Sequence, residues 1–167
     1  MAQDFVKAFA DGDLNEAATY LAPGTEPYPG WRREVERNVA FNFEFLVEPC
    51  EAKTKTTIGT VVECPFDMHV LYSKELGEGP FTGNMFTVFV EDGAVLEADN
   101  VMAWQTNGQE EYFDKVWNWI KRHHPDDVAL MAMDEQEVQP AAWPRYLRLW
   151  EQHTRDYYQT MTSESDG

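Results

Sequence analysis

Thr57 to Trp104 reads TIGTVVECPFDMHVLYSKELGEGPFTGNMFTVFVEDGAVLEADNVMAW, and the fold follows from it. Val61 to Tyr72 alternates, with Val62, Cys64, Phe66, Met68 and Val70 on one face and Glu63, Pro65, Asp67 and His69 on the other. A period of two with a single apolar face describes a strand packed on one side. Ser73 to Pro80 is rich in glycine and charge and reads as a loop. Asn84 to Glu91 is a second strand with Phe86, Val88 and Val90 on one face. Asp92-Gly93 predicts a tight hairpin, because both residues tolerate positive φ. Ala94 to Trp104 is the third strand, and Cys50 to Lys55 pairs back on Val61 to Pro65 through a loop at Thr56 to Gly59. The minimum is a four-stranded antiparallel meander.

The flanks are helical. Phe5, Ala8 and Phe9 give Ala2 to Ala10 one apolar face, Gly12 ends it, and Asp13-Leu-Asn-Glu16 is a capping-box pattern. Leu14, Ala17, Ala18 and Leu21 form the buried stripe of the second helix. Pro23, Gly24, Pro27, Pro29 and Gly30 force an irregular loop that carries Tyr28 and leads to Trp31. Arg32 to Phe45 reads as a third helix, with Val35, Val39 and Phe43 at steps of four and Glu34, Glu36 and Arg37 on a solvated face. Downstream, Glu110 to His123 is helical, with Phe113, Val116, Trp117 and Ile120 on one side, and Pro125 stops it. Pro144 opens a last helix whose stripe is Tyr146, Leu149, Trp150, His153 and Tyr157. One domain is expected over residues 1–162, with a helical extension from about 106 to 162 and a disordered polar tail at 163–167.

Thirteen basic residues stand against thirty acidic ones in the 167-residue chain, a formal charge of −17. A field of that sign repels phosphate backbones and anionic lipid, so neither nucleic acid nor a membrane is an expected partner. No apolar run approaches the ~18 residues of a membrane span. The amino terminus has no basic segment leading into an apolar one, which makes a cytoplasmic protein the expectation. Cys50 and Cys64 fall nearly opposite on adjacent strands. They bridge if the register brings their Cα atoms within ~7 Å. In a reducing cytoplasm two buried thiols are expected instead.

The order helix, Gly-Asp-Leu, short helix, Pro/Gly loop, helix, long sheet resembles the nuclear transport factor 2-like, or SnoaL-like, superfamily. Phe5 to Pro23 (FVKAFADGDLNEAATYLAP) and Phe81 to Asn100 (FTGNMFTVFVEDGAVLEADN) carry the likeness. Val116 to Met131 (VWNWIKRHHPDDVALM) and Leu149 to Tyr158 (LWEQHTRDYY) are similar to a bacterial subgroup of it. The resemblance implies an α+β fold in which a curved antiparallel sheet packs on the amino-terminal helices as a cone-shaped barrel, followed by extra helices. It implies an apolar pocket for a small hydrophobic ligand, lined by Phe66, Met68, Phe86, Val88, Met102 and Trp104. Phe9, Tyr20 and Phe41 would close its sides. In relatives the convex sheet face serves as a dimer surface, which makes a homodimer through the sheet an expectation.

The superfamily hosts both enzymes and binders, so chemistry must be argued from residues. Asn100 interrupts the apolar face Leu96, Ala98, Met102 and Trp104, at a place where the superfamily's epoxide hydrolases tend to carry an aspartate. An amide there orients a ligand but takes no proton at neutral pH. Asp67 falls near those enzymes' strand acid, but their arginine two residues earlier is Pro65 here. Asp67 and His69 share a face and form the candidate acid–base pair, provided a bulge at Pro65 turns them inward. The superfamily's ketosteroid isomerases use a tyrosine and two aspartates; the matching positions read Phe5, Phe86 and about Tyr28–Pro29, which argues against that reaction. Tyr20, Tyr28 and Trp31 are candidates for the pocket mouth. His123-His124 with Asp126-Asp127 has no metal-ligand spacing and reads as a solvated helix end, so no metal and no cofactor is expected. Small-molecule binding is the leading reading, an Asp67/His69 enzyme the second, and a homodimeric or partner-binding module the third.

Overall fold

The computed structural model describes residues 1–165. The chain runs α1 (Ala2–Ala10), α2 (Leu14–Thr19), α3 (Trp31–Ala40), β1 (Glu44–Val47), β2 (Glu51–Lys55), β3 (Thr60–His69), β4 (Phe81–Glu91), β5 (Ala94–Val101), α4 (Gln109–His123), α5 (Val128–Met131) and α6 (Trp143–Ser165). The architecture is mixed α+β: one curved antiparallel sheet, helices before it and helices after it. The sheet is open, in the order β1-β3-β4-β5, with β2 pairing the lower half of the β3 edge that β1 occupies above.

On β3 the even-numbered side chains Cys64, Phe66 and Met68 are buried, as is Val70 just beyond the strand, as the alternation requires. Opposite them on β4 stand Phe86 and Val88, and α1 closes this face with Phe5 and Phe9. Phe66 and Phe86 have ring centroids 4.5 Å apart, and Phe9 and Phe45 complete the cluster at 5.4 Å from Phe86 and Phe66 respectively. Phe66, Met68, Phe86 and Val88, expected to line a pocket, therefore fill the core. The reason is Phe45: α1 and β1 both deliver an aromatic ring into the space the curved sheet encloses.

Besides an irregularity at Lys53 on β2, bulges on β4 and β5 set the register. Phe66 pairs with Asn84 but Met68 with Phe81, so the extra residue lies on β4 beside Gly83 (φ 82°), not at Pro65. The parity of β3 is therefore unbroken. Asp67 and His69 stay on the face turned away from the helices, with Asp67 opposite Leu46 and His69 opposite Glu44. On β5, Phe89 pairs with Glu97 but Val90 with Val95, so Leu96 is the bulged residue and Val95 takes the inward place. Ala98 and Asn100 keep the inward side. Asp92 (φ 46°) and Gly93 (φ 77°) form the predicted two-residue turn between Glu91 and Ala94.

The third helix is shorter than its apolar spacing predicts. It stops at Ala40; Val39 is 63% exposed, so the steps of four do not trace a buried stripe. Asn42 takes φ 52°, which an asparagine tolerates, and Glu44 to Val47 then pairs with β3 as β1. Cys50 and Cys64 are joined by a disulfide with Cα atoms 4.1 Å apart, where free thiols were expected. The register that puts Glu51 opposite Glu63 brings the two together. At the amino end, Asp13 caps α2 by accepting from the Glu16 N–H at 2.9 Å, as its motif predicts.

The five expected stripe residues of α6 are all buried. On α4 the expected stripe divides: Val116 and Ile120 are buried, whereas Phe113 and Trp117 are only half-buried. Helix α6 continues through Ser165, across the start of the expected tail; residues 166–167 lie outside the described part.

Candidate functional site

The site grows from α3. Glu34 and Arg37, three residues apart, lie on one face of that helix and are mostly buried. Tyr28, held in the Pro/Gly loop, donates its hydroxyl to Glu34 Oε2 at 2.7 Å. Asn100, inward on β5, donates its amide to Glu34 Oε1 at 2.7 Å. Arg37 Nη1 donates to Glu135 Oε2 at 2.8 Å, and Nη2 to Asn38 Oδ1 at 3.1 Å. Arg33, one turn back, donates to the carbonyls of Glu135 and Val138 at 2.7 and 2.9 Å. Two arginines of α3 thus fasten the segment between α5 and α6 to the sheet side of the molecule.

The polar cluster is electrostatically distinctive. Burial pushes the Glu135 carboxyl above the usual glutamate range, against the pull of the Arg37 guanidinium and with the help of the nearby Glu34 and Asp134 charges. Burial, then the Glu34 carboxylate, holds the Tyr28 hydroxyl well above its ordinary value, so it remains a hydrogen-bond donor. With its nitrogen committed to Glu34, Asn100 has its oxygen left to offer a ligand as an acceptor.

Beside this cluster lies a cavity of about 710 Å³, within the size range of small-molecule sites. Its polar lining includes Arg37, Asn100, Gln109, Asp134 and Glu135; its aromatic lining includes Phe41, Phe113, Trp117 and Trp150. Trp150 is the centre of these rings, with ring centroids 4.3 Å from Phe41, 5.4 Å from Trp117 and 5.7 Å from Phe113. Met102 and Met131 add polarisable surface that adapts to a ligand's shape. α4 can supply Phe113 and Trp117 because the helix is buried by its other residues, leaving this side facing the gap.

Of the residues expected to contact a ligand, Phe41, Asn100, Met102 and Trp104 line the cavity, Trp104 from the turn after β5. Phe66, Met68, Phe86 and Val88 do not; they are core. Tyr20 ends α2, its hydroxyl donating to Glu16 and its carbonyl accepting from Val95 N–H, and it is not part of the cavity wall. Tyr28 reaches the cluster through Glu34, while Trp31 is buried. Asp67 and His69 point away from the cavity; His69 packs against the backbone at Gly79 and meets Ser73 Oγ at 3.3 Å. The expected solvated end of α4 is only partly so: His123 stacks on Trp119 at 4.2 Å and His124 on His153 at 3.8 Å. Glu34 and Arg37, read from the sequence as a solvated face, are instead the hub. Glu135 carries no motif at all; for the aromatic lining, the sequence offers only the place of Phe113 and Trp117 on the apolar side of α4.

No family model matches the chain, and no curated protein matches it by sequence. Among solved structures it is similar to AclR, titled a putative hydroxylase, from Streptomyces galilaeus: 14% identity over 65% of this chain and 90% of that one, with a TM-score of 0.42. Among the described residues no helix is long and apolar enough to cross a membrane.

Proposed function

We propose that the protein binds a small aromatic molecule in the cavity between α3, α4 and α6, as a SnoaL-like domain whose ligand space lies at the mouth of the curved sheet. The carrying observation is the cavity of about 710 Å³ whose lining combines a cluster of aromatic rings around Trp150 with polar groups that include Arg37, Asn100 and Glu135. Flat rings stack on such a cluster, and the few convergent polar atoms fix orientation. Arg37 is already balanced by Glu135 and flanked by Glu34, and the chain carries −17 overall, so the site favours a neutral ligand with a hydroxyl or amine donor over an anion. Trp104, Trp117 and Trp150 make the binding visible. Titrating tryptophan fluorescence with a naphthol is expected to give saturable quenching, weaker with naphthalene sulfonate and absent in Met102→Trp, which fills the cavity. Saturable binding by no ring compound, or equal binding by the filled variant, overturns the reading.

A second reading, proton-transfer chemistry in the same cavity, is favoured by Glu135, a cavity-wall carboxyl that burial biases towards its protonated form. Glu135→Gln is then expected to keep ligand binding and lose turnover. Asp67 and His69 have no part in this, since both lie on the opposite face of the sheet. As for compartment, the Cys50–Cys64 bond supports an oxidising one; alkylation and mass measurement of protein from its native cells decides between bridge and thiols.

A further inference from the structure

We propose that His124, His153 and Asp156 bind a divalent transition-metal ion at the junction of α4 and α6, apart from the cavity. His153 and Asp156 are three residues apart on α6 and share a face; His124, at the end of α4, reaches across to them. One donor atom from each residue lies within 4.8 Å of the others, with His124 Nε2 and His153 Nδ1 at 3.9 and 3.7 Å from Asp156 Oδ2. Two bonds of about 2.0–2.2 Å to one ion span at most about 4.4 Å, which covers the two distances to Asp156, so the two histidine donors must draw together to load the ion.

The protonation pattern suits a ligand set. His153 Nε2–H donates to Asp127 Oδ2 at 3.0 Å, and Arg145 holds the other Asp127 oxygen at 3.2 Å. A carboxylate accepts only, so the proton of a neutral His153 sits on Nε2 and its Nδ1 presents a lone pair. That Nδ1 is buried without a hydrogen-bond partner, on a side chain only 3% exposed; His124 Nε2 is likewise buried and unpartnered. Buried polar atoms of this kind call for an explanation, and an ion is one. The arrangement carboxylate–histidine–metal, with Asp127 behind His153, is the support that metal-binding histidines have.

The two imidazoles are stacked at 3.8 Å with 19° between planes, so lone pairs lying in the ring planes do not yet converge. Loading requires the His124 ring to tilt. His124 is the residue able to do so: it ends its helix with non-helical backbone (φ −131°, ψ 53°), whereas Asp127 fixes His153. Two imidazoles and one carboxylate select Zn²⁺, Ni²⁺ or Cu²⁺ over the harder Mg²⁺ and Ca²⁺. Asp156 and His124 keep part of their side chains exposed, which gives an ion its path in.

The test is calorimetric titration of the full chain, stripped with a chelator, with Zn²⁺ against a large excess of Mg²⁺ that occupies diffuse acidic sites. One equivalent is expected to bind. Co²⁺ in its place should give a ligand-field absorption band. Asp127→Asn and Asp156→Asn should each weaken binding by about 10–100-fold. His124→Gln should abolish the Zn²⁺-induced rise in melting temperature while melting as the wild type does without metal. His123→Gln, outside the cluster, should bind as the wild type does. Failure of a single equivalent to bind in excess Mg²⁺, or wild-type affinity in both His124→Gln and His153→Gln, overturns the proposal.

Discussion

Arg37 is the residue on which most of the polar cluster depends. It and Glu135 are both mostly buried, at 22% and 19% side-chain exposure, so neither charge is free to rehydrate if the other is removed. Arg37→Met is expected to lower the unfolding free energy by about 2–3 kcal/mol, since it strands a buried carboxylate and frees the segment before α6. Arg37→Met combined with Glu135→Met should recover most of that loss, because no unpaired charge then remains. Urea denaturation of the three variants measures the coupling directly; additive losses would show that the two residues act independently. Glu34 differs in kind. It accepts from Tyr28 and from Asn100, so it orders two other side chains, and it does not itself line the cavity.

Among the elements, the β4–β5 hairpin and the β2–β3 edge carry the clearest expectations. Nothing lies within 4 Å of a Cβ built on Gly93, so Gly93→Ala meets no steric neighbour and reports backbone strain alone. At φ 77° that strain amounts to about 1–2 kcal/mol, read as a shift of the urea midpoint with an unchanged slope. On the other edge, β2 is exposed along its whole length and is held to β3 by pairing and by the Cys50–Cys64 bond. The bond closes a loop with a sequence separation of 14. Replacing both cysteines with serine should cost about 3 kcal/mol, and reductant should destabilise the wild type but not that variant.

For the whole molecule, four buried or half-buried tyrosines couple stability to pH. Tyr28, Tyr112, Tyr146 and Tyr157 come from the Pro/Gly loop, α4 and α6, and burial is the largest influence raising each hydroxyl above its ordinary 10.0. Their folded values exceed the unfolded one, so the stability they contribute is fully present below pH 10.0 and is lost as pH climbs towards the folded values. Tyrosinate absorbance should therefore appear in two stages, with these tyrosines ionising together with unfolding followed by circular dichroism. Independent ionisation of Tyr112, which donates to the Leu71 carbonyl at 2.9 Å, would contradict this.

The sequence by itself determined the elements. Alternation on β3, the Asp92-Gly93 turn, the Asp13 cap and the α6 stripe are local patterns, each set by backbone period or by one residue's φ preference, and each appears where it was read. It also determined that Asn100 points inward, as the polar break in an apolar face. Only the tertiary structure decided which rings fill and which rings line. Phe66 and Phe86 look no different in sequence from Phe41 and Phe113, but Phe9 and Phe45 arrive over the first pair and nothing fills the space beside the second. The polar contacts were out of reach for the same reason. Glu34 meets Asn100 across 66 residues and Arg37 meets Glu135 across 98, and His124 reaches His153 from another helix. Side-chain period reports the face a residue takes on its own element; what stands opposite is fixed by bulges, helix ends and packing, which no local pattern encodes.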